Sequence, residues 1–159
     1  MMSGPEMKPS LRSANANDAR RIADILIGTR ATFMPYAPSA HSEPEVREWV
    51  ASHLVPTGGV VVAEIDGQVV GVMATATEGE CAWITQMAVD PGMAGNGVGS
   101  VLLAHAIETL ARPIRLYTFQ QNIGARRIYE RHGFQAIQFT DGEDNEERCP
   151  DVLYELRMD

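Results

Sequence analysis

The chain is poor in cysteine, having two in 159 residues, and poor in positive charge, with 13 Lys and Arg against 21 Asp and Glu. Cys81 and Cys149 stand far apart in no metal-like spacing, which excludes a disulfide framework and a zinc site; Cys81 falls in an apolar strand pattern and reads as a reduced, semi-buried thiol. A formal charge of −8 excludes the basic footprint that nucleic acid requires. It suits cationic partners such as amines, and it serves solubility equally well. No apolar run approaches ~18 residues, so no membrane span is expected. Residues Met1 to Pro9 lack the apolar core of a signal peptide, and a cytoplasmic protein with a flexible stretch over 1–9 is the expectation. No internal repeat or low-complexity segment is visible.

What the chain does have is a run of glycines between two apolar segments. Met87-Ala88-Val89-Asp90-Pro91-Gly92-Met93-Ala94-Gly95-Asn96-Gly97-Val98-Gly99-Ser100-Val101-Leu102-Leu103 reads as strand, tight turn and helix. Glycines at 95, 97 and 99 let backbone approach a ligand without Cβ obstruction, and the free N–H groups and dipole of the first helical turn favour an anion. A P-loop would need a lysine after the turn, and none is there. The dinucleotide fingerprint fails as well, since Ser100 takes its third glycine position and no acid follows about 20 residues on. The pyrophosphate of coenzyme A remains. On these residues the chain resembles the GNAT acetyltransferase superfamily, whose Arg/Gln-x-x-Gly-x-Gly/Ala motif falls on Ala94 to Gly99, with Ala94 in place of the usual Arg or Gln.

A second segment strengthens the resemblance. Asn122, Ala125, Tyr129, Gly133 and Phe134 match the family's Asn-x-x-Ala-x-x-x-Tyr-(x)3-Gly-Phe pattern. Their spacing is also that of a bounded helix. Asn122 is an N-cap, Ala125, Ile128 and Tyr129 form one stripe, and Gly133 suits the left-handed position after the last turn.

Periodicity places the remaining elements around these two segments. Strand Ser10 to Ala14 is followed by a helix capped by Asn15, with Asp18 in its first turn and Ile22, Ile25, Leu26 and Phe33 on its stripe. Glu43 to Leu54 reads as a second helix with Val46, Trp49, Val50 and Leu54 facing in. Val60 to Ile65 and Gln68 to Ala76 are strands joined by Asp66-Gly67, a hairpin signal. Strand Cys81 to Val89, helix Val98 to Ala111, strand Ile114 to Thr118, helix Asn122 to His132 and strands Phe134 to Phe139 and Val152 to Met158 complete the chain. The order β-α-α-β-β-β-α-β-α-β-β over residues 10–159 predicts one α/β (α+β) domain, a mixed central sheet flanked by helices. It is the order of the GNAT fold.

The resemblance implies acetyl-CoA as cosubstrate and no metal. It implies pantetheine laid along the backbone of Met87, Ala88 and Val89, diphosphate on Ala94, Gly95, Asn96, Gly97, Gly99 and Ser100, and further contacts at Asn122 and Tyr129. A backbone N–H near Met87 becomes the oxyanion donor. Tyr129 becomes the acid that protonates the leaving thiolate, a phenol of ordinary pKa near 10 facing a thiolate taken to be of similar basicity.

No side chain stands out as a base. Trp83, Thr85, Met87 and Val89 share a strand face without carboxylate or histidine; Glu64, Glu78 and Glu80 read as relays or solvated hairpin charges, and His41, His53, His105 and His132 as structural. Two segments are expected to select the acceptor, a small primary amine. One is 32–41; the other is 141–151, with six acids and one arginine. The latter reads as a pocket wall, a homodimer contact or a solvated run. A protein or peptide acetyltransferase and a non-catalytic acyl-CoA-binding module are the alternatives.

Overall fold

Asp66 and Gly67 both adopt positive φ, 52° and 76°, the backbone of a two-residue hairpin turn whose twist matches its strands. That turn joins β2 (Val60–Ile65) to β3 (Gln68–Glu78), and β4 (Cys81–Val89) continues the meander. The computed structural model describes residues 8–157; most of the expected flexible 1–9 stretch, and the expected end of the last strand at Met158, lie outside the described residues.

Strand β1 (Ser10–Ser13) pairs antiparallel with β2. Asn15 then caps a 3-10 turn in a reciprocal box with Asp18, and the turn runs into α1 (Ala19–Phe33). Burial holds Asp18 against Arg12, whose guanidinium keeps the carboxyl below the usual range. A second box, Ser42 with Glu45, starts α2 (Glu43–Trp49). The expected single helix to Leu54 instead passes through a π-helical turn, Val50–Leu54, into a short α3 (Val55–Thr57). Val50 and Leu54 are buried as expected, whereas Trp49 lies at the edge, 37% exposed and stacked on His53.

The chain then forms α4 (Val98–Thr109), β5 (Ile114–Phe119), α5 (Ile123–Arg131), β6 (Gln135–Phe139) and β7 (Asp151–Leu156). Seven strands make one mixed sheet in the order β1-β2-β3-β4-β5-β7-β6. The last strand is thus inserted between β5 and β6. Apolar residues of α4 and α5 pack on one face, with Leu102, Leu103 and Tyr129 in a core with Ile84 and Leu116. Ile22 and Ile25 of α1 cover the other face with Val62 and Val72. Helix α4 packs tightly over Gly71, where a Cβ would stand 2.8 Å from Val98 Cγ1.

Two irregularities open the sheet. Strands β4 and β5 run parallel and pair only at Ala82–Ile114 and Trp83–Arg115, beyond which they diverge. On the other edge of β4 the register with β3 skips from Gln86–Ala74 to Ile84–Thr75, leaving Thr85 as a bulge whose Oγ1 donates to Ala74 O at 3.2 Å. The extra residue reverses the alternation. Met87 and Val89 therefore lie on the α4 face with Ala82 and Ile84, not on the face of Trp83 and Thr85 that strict alternation implies.

Candidate active site

The divergence of β4 from β5 produces a cleft of about 1010 Å³ that crosses the sheet, at the upper end of the range for small-ligand sites. Its β4 edge is unpaired, and the ladder phase tells which groups it offers. Asp90 N donates to Val70 O (2.8 Å), so Asp90, Ala88 and Gln86 turn their polar backbone groups to β3. Met87 and Val89 turn theirs to the open side. Ala88 lines the cleft but has its N–H and C=O committed to the sheet. Val89 O already accepts from Thr29 Oγ1 of α1 at 3.0 Å.

Beyond that edge the chain turns on Gly95 and Gly97, both at φ 81°, a left-handed conformation costly to residues with a Cβ. Gly97 is the N-cap of α4, and no side chain among the described residues caps it. Val101 N, bonded to Gly97 O at 3.1 Å, makes the first helical bond. The N–H groups of Val98, Gly99 and Ser100 are left as open donors at the positive end of the dipole. Ala94, Gly95, Gly97, Gly99 and Ser100 all line the cleft. Asn96 is not among its described lining residues; its amide donates back to Met93 O and Ala94 O at 3.2 and 3.4 Å.

Helix α5 supplies the opposite wall. Asn122 lines the cleft and spends its Oδ1 on Ala125 N (3.3 Å) as the N-cap. Tyr129 lies two turns on, 6% exposed, its ring between Phe134 and Tyr154 with centroids 6.1 and 5.9 Å away. Tyr154 is anchored in turn, donating to Glu130 at 2.6 Å and accepting from Arg126 Nε at 2.9 Å. The Tyr129 hydroxyl has no protein hydrogen-bond partner among the described residues, and burial, then the neighbouring Tyr154, pushes its pKa up to about 12. That moves it away from the ~8.5 of an ordinary thiol. The phenol is therefore held in its neutral form more firmly than an ordinary tyrosine is.

The far end of the cleft brings together both segments expected to select the acceptor. Arg30 of α1 donates through Nη1 to Ala37 O and to Glu147 Oε2, each at 3.0 Å, and sits 5.5 Å from the Phe119 ring centroid. His41 meets Glu146 at 3.0 Å. The 141–151 segment is braced: Asn145 donates to Cys149 O (2.7 Å) and Asp151 (3.1 Å) and accepts from Cys149 N (3.1 Å). Gly142 packs so tightly that a Cβ would lie 2.2 Å from the Cys149 carbonyl carbon. The run is thus a built wall, with its two central acids already paired. Cys149 is buried, and burial raises its thiol pKa.

The remaining candidates are placed elsewhere. Glu64 is paired with Arg12 at 2.8 Å, and Glu78 and Glu80 are not among the described residues lining the cleft. His132 bonds to Ile128 O at the end of α5. Arg30 and Thr29 were not distinguishable by sequence, because their partners lie 117 and 60 residues away.

The sequence model of the acetyltransferase (GNAT) family matches residues 26–134, which include β4, the glycine turn and α5 but not the 141–151 wall. The chain belongs to the GNAT family. It is 33% identical over 97 residues to the spore coat polysaccharide biosynthesis protein SpsD of Bacillus subtilis, an overlap of 58% of this chain and 34% of that protein. The chain therefore spans about a third of that relative. Its fold is that of a GNAT acetyltransferase from Bacillus cereus, with a TM-score of 0.75 at 17% identity over 94% of this chain and 97% of the other. It is likewise similar to the PaiA N-acetyltransferase of Thermoplasma acidophilum in complex with coenzyme A, with a TM-score of 0.73 at 16% identity over 96% and 100%. The GNAT chain has no helix among its described residues long and apolar enough to cross a membrane.

Proposed function

We propose that the chain is an N-acetyltransferase that moves the acetyl group of acetyl-CoA directly onto a primary amine of a small molecule. The observation that carries this reading is the continuity of two open surfaces, the β4 edge at Met87 and the Val89 N–H, and the uncapped start of α4 across the Gly95–Gly97 turn. An extended amide-bearing arm pairs with the first and a diphosphate with the second. In this reading the Met87 N–H stabilises the oxyanion, a contribution of ~3 kcal/mol in comparable sites. Tyr129 donates a hydrogen bond to the sulfur as the C–S bond breaks. The amine's proton passes to water or to a carboxylate of the lining such as Asp144, since none of Glu64, Glu78 and Glu80 serves the cleft.

A small acceptor is favoured over a peptide because Arg30 bonds both Ala37 O and Glu147, and His41 meets Glu146, so that the 32–41 and 141–151 segments are tied together. The relative named for polysaccharide biosynthesis makes amino sugars one acceptor class to try. The test is thiol release from acetyl-CoA by the purified chain against panels of amines, amino acids, amino sugars, aminoglycosides and peptides. Turnover with a small amine supports the reading. Turnover with peptides alone gives the protein-modifying alternative, and coenzyme A binding without turnover on any panel gives the acyl-CoA-binding module.

A further inference from the structure

Arg21 on α1 holds two chain segments at once. Its Nε donates to Val69 O at 2.8 Å, and its Nη2 pairs with the carboxylate of Asp90, the residue directly after β4. Asp90 is bonded on every polar atom that faces the protein: Oδ1 accepts from Gly92 N at 2.9 Å, and its own N–H donates to Val70 O. The 3-10 turn Pro91–Met93 starts there and leads into Gly95 and Gly97. On the same helix, Gly28 faces the Pro91 ring, where a Cβ would be 3.8 Å from Cγ, and Thr29 holds Val89 O. Helix α1 thereby grips three consecutive residues, Val89, Asp90 and Pro91, that link the open edge to the phosphate turn.

Neither Arg21 nor Asp90 is among the described residues that line the cleft. Their effect on a ligand must pass through the turn. It is also electrostatic: Asp90 places a negative charge at the head of the turn that leads to the Val98, Gly99 and Ser100 donors, and the Arg21 guanidinium offsets it.

We infer that Arg21, acting through Asp90, is a positioning residue for the phosphates of the acyl donor; this rests on the function proposed above. Within the turn Asn96 braces Met93 O and Ala94 O, but nothing in those bonds ties the turn to the rest of the fold. The fixing comes from α1. Without Arg21 the turn loses its tether and the carboxylate beside it is unbalanced.

The test titrates the full chain with coenzyme A by calorimetry and with pantetheine, which lacks the phosphates, by NMR. Arg21→Met should weaken coenzyme A about three- to tenfold, more at low salt than at high, with pantetheine unchanged. Arg21→Lys should recover part of the loss. Arg21→Met/Asp90→Asn should recover the salt-dependent part, because an asparagine keeps the Gly92 acceptor without the charge. Arg47→Met, which breaks the 2.7 Å pair between Arg47 of α2 and Asp24 of α1 without touching Asp90, is the control for general weakening of the helix and should leave coenzyme A affinity as it is. Undiminished affinity in Arg21→Met, an equal loss for both ligands, or an equal loss in Arg47→Met overturns the inference alone. Failure of the wild-type chain to bind coenzyme A overturns the proposed function with it.

Discussion

Arg30 and Glu147, 117 positions apart, pair at 3.0 Å, and both line the cleft. The pair joins α1 to the acidic loop and brings a cation from outside to a run whose own sequence supplies one arginine. Glu147 is therefore not a spare charge for a substrate; removing it also releases Arg30.

For a cationic acceptor, Glu147→Gln should raise KM about three- to tenfold, more at low salt, while the KM for acetyl-CoA stays constant. Arg30→Met/Glu147→Gln should return the acceptor KM most of the way to wild type, since both charges leave together. A double-mutant cycle on acceptor KM measures the coupling. Additive effects would show that the pair has no bearing on the acceptor.

Gly97→Val places a β-branched residue at φ 81°, with open space around the new Cβ. The cost is backbone strain at the N-cap of α4, about 1–3 kcal/mol, rather than a clash. Calorimetry should find coenzyme A binding abolished while circular dichroism still reports a folded chain. Retained affinity would remove the turn from the binding site.

Gly71→Ala is a contrasting case, because its Cβ would meet Val98 Cγ1 at 2.8 Å and Leu102 Cδ1 at 3.1 Å. Pushing α4 off the sheet should destabilise the fold by about 1–3 kcal/mol in a urea titration. Weaker coenzyme A binding should follow, since α4 carries the open N–H donors.

Tyr129→Phe should lower kcat roughly 10²-fold while leaving acetyl-CoA affinity close to wild type. Unchanged turnover would leave Tyr129 as a core residue packed between Phe134 and Tyr154.

The same residue carries a pH signature of stability. Its folded pKa, pushed up to about 12 by burial, exceeds the unfolded value near 10, so the neutral phenol is favoured by folding. That contribution is complete below about pH 10 and is lost as pH rises toward 12. Thermal melts should show the wild type losing stability over this window more steeply than Tyr129→Phe. Parallel curves would place the hydroxyl in water.

The element order and both cleft walls were legible in the sequence because they are local. Asn15 with Asp18, Ser42 with Glu45, Asp66-Gly67 and Asn122 each satisfy backbone groups within four residues, and the glycines at 95 and 97 answer to φ alone. Short-range chemistry of this kind leaves its mark as spacing. The position of β7 between β5 and β6, the bulge at Thr85 and the departure of β4 from β5 after Trp83 leave none, since each depends on which strands meet. The bulge alone decides which face Met87 occupies, because one inserted residue reverses a period of two. Charge composition shows that the 141–151 segment is acidic, yet only folding brings Arg30 to Glu147 and His41 to Glu146. The phenol of Tyr129 is likewise the same group in either state, and its raised pKa exists only because the fold takes it out of water.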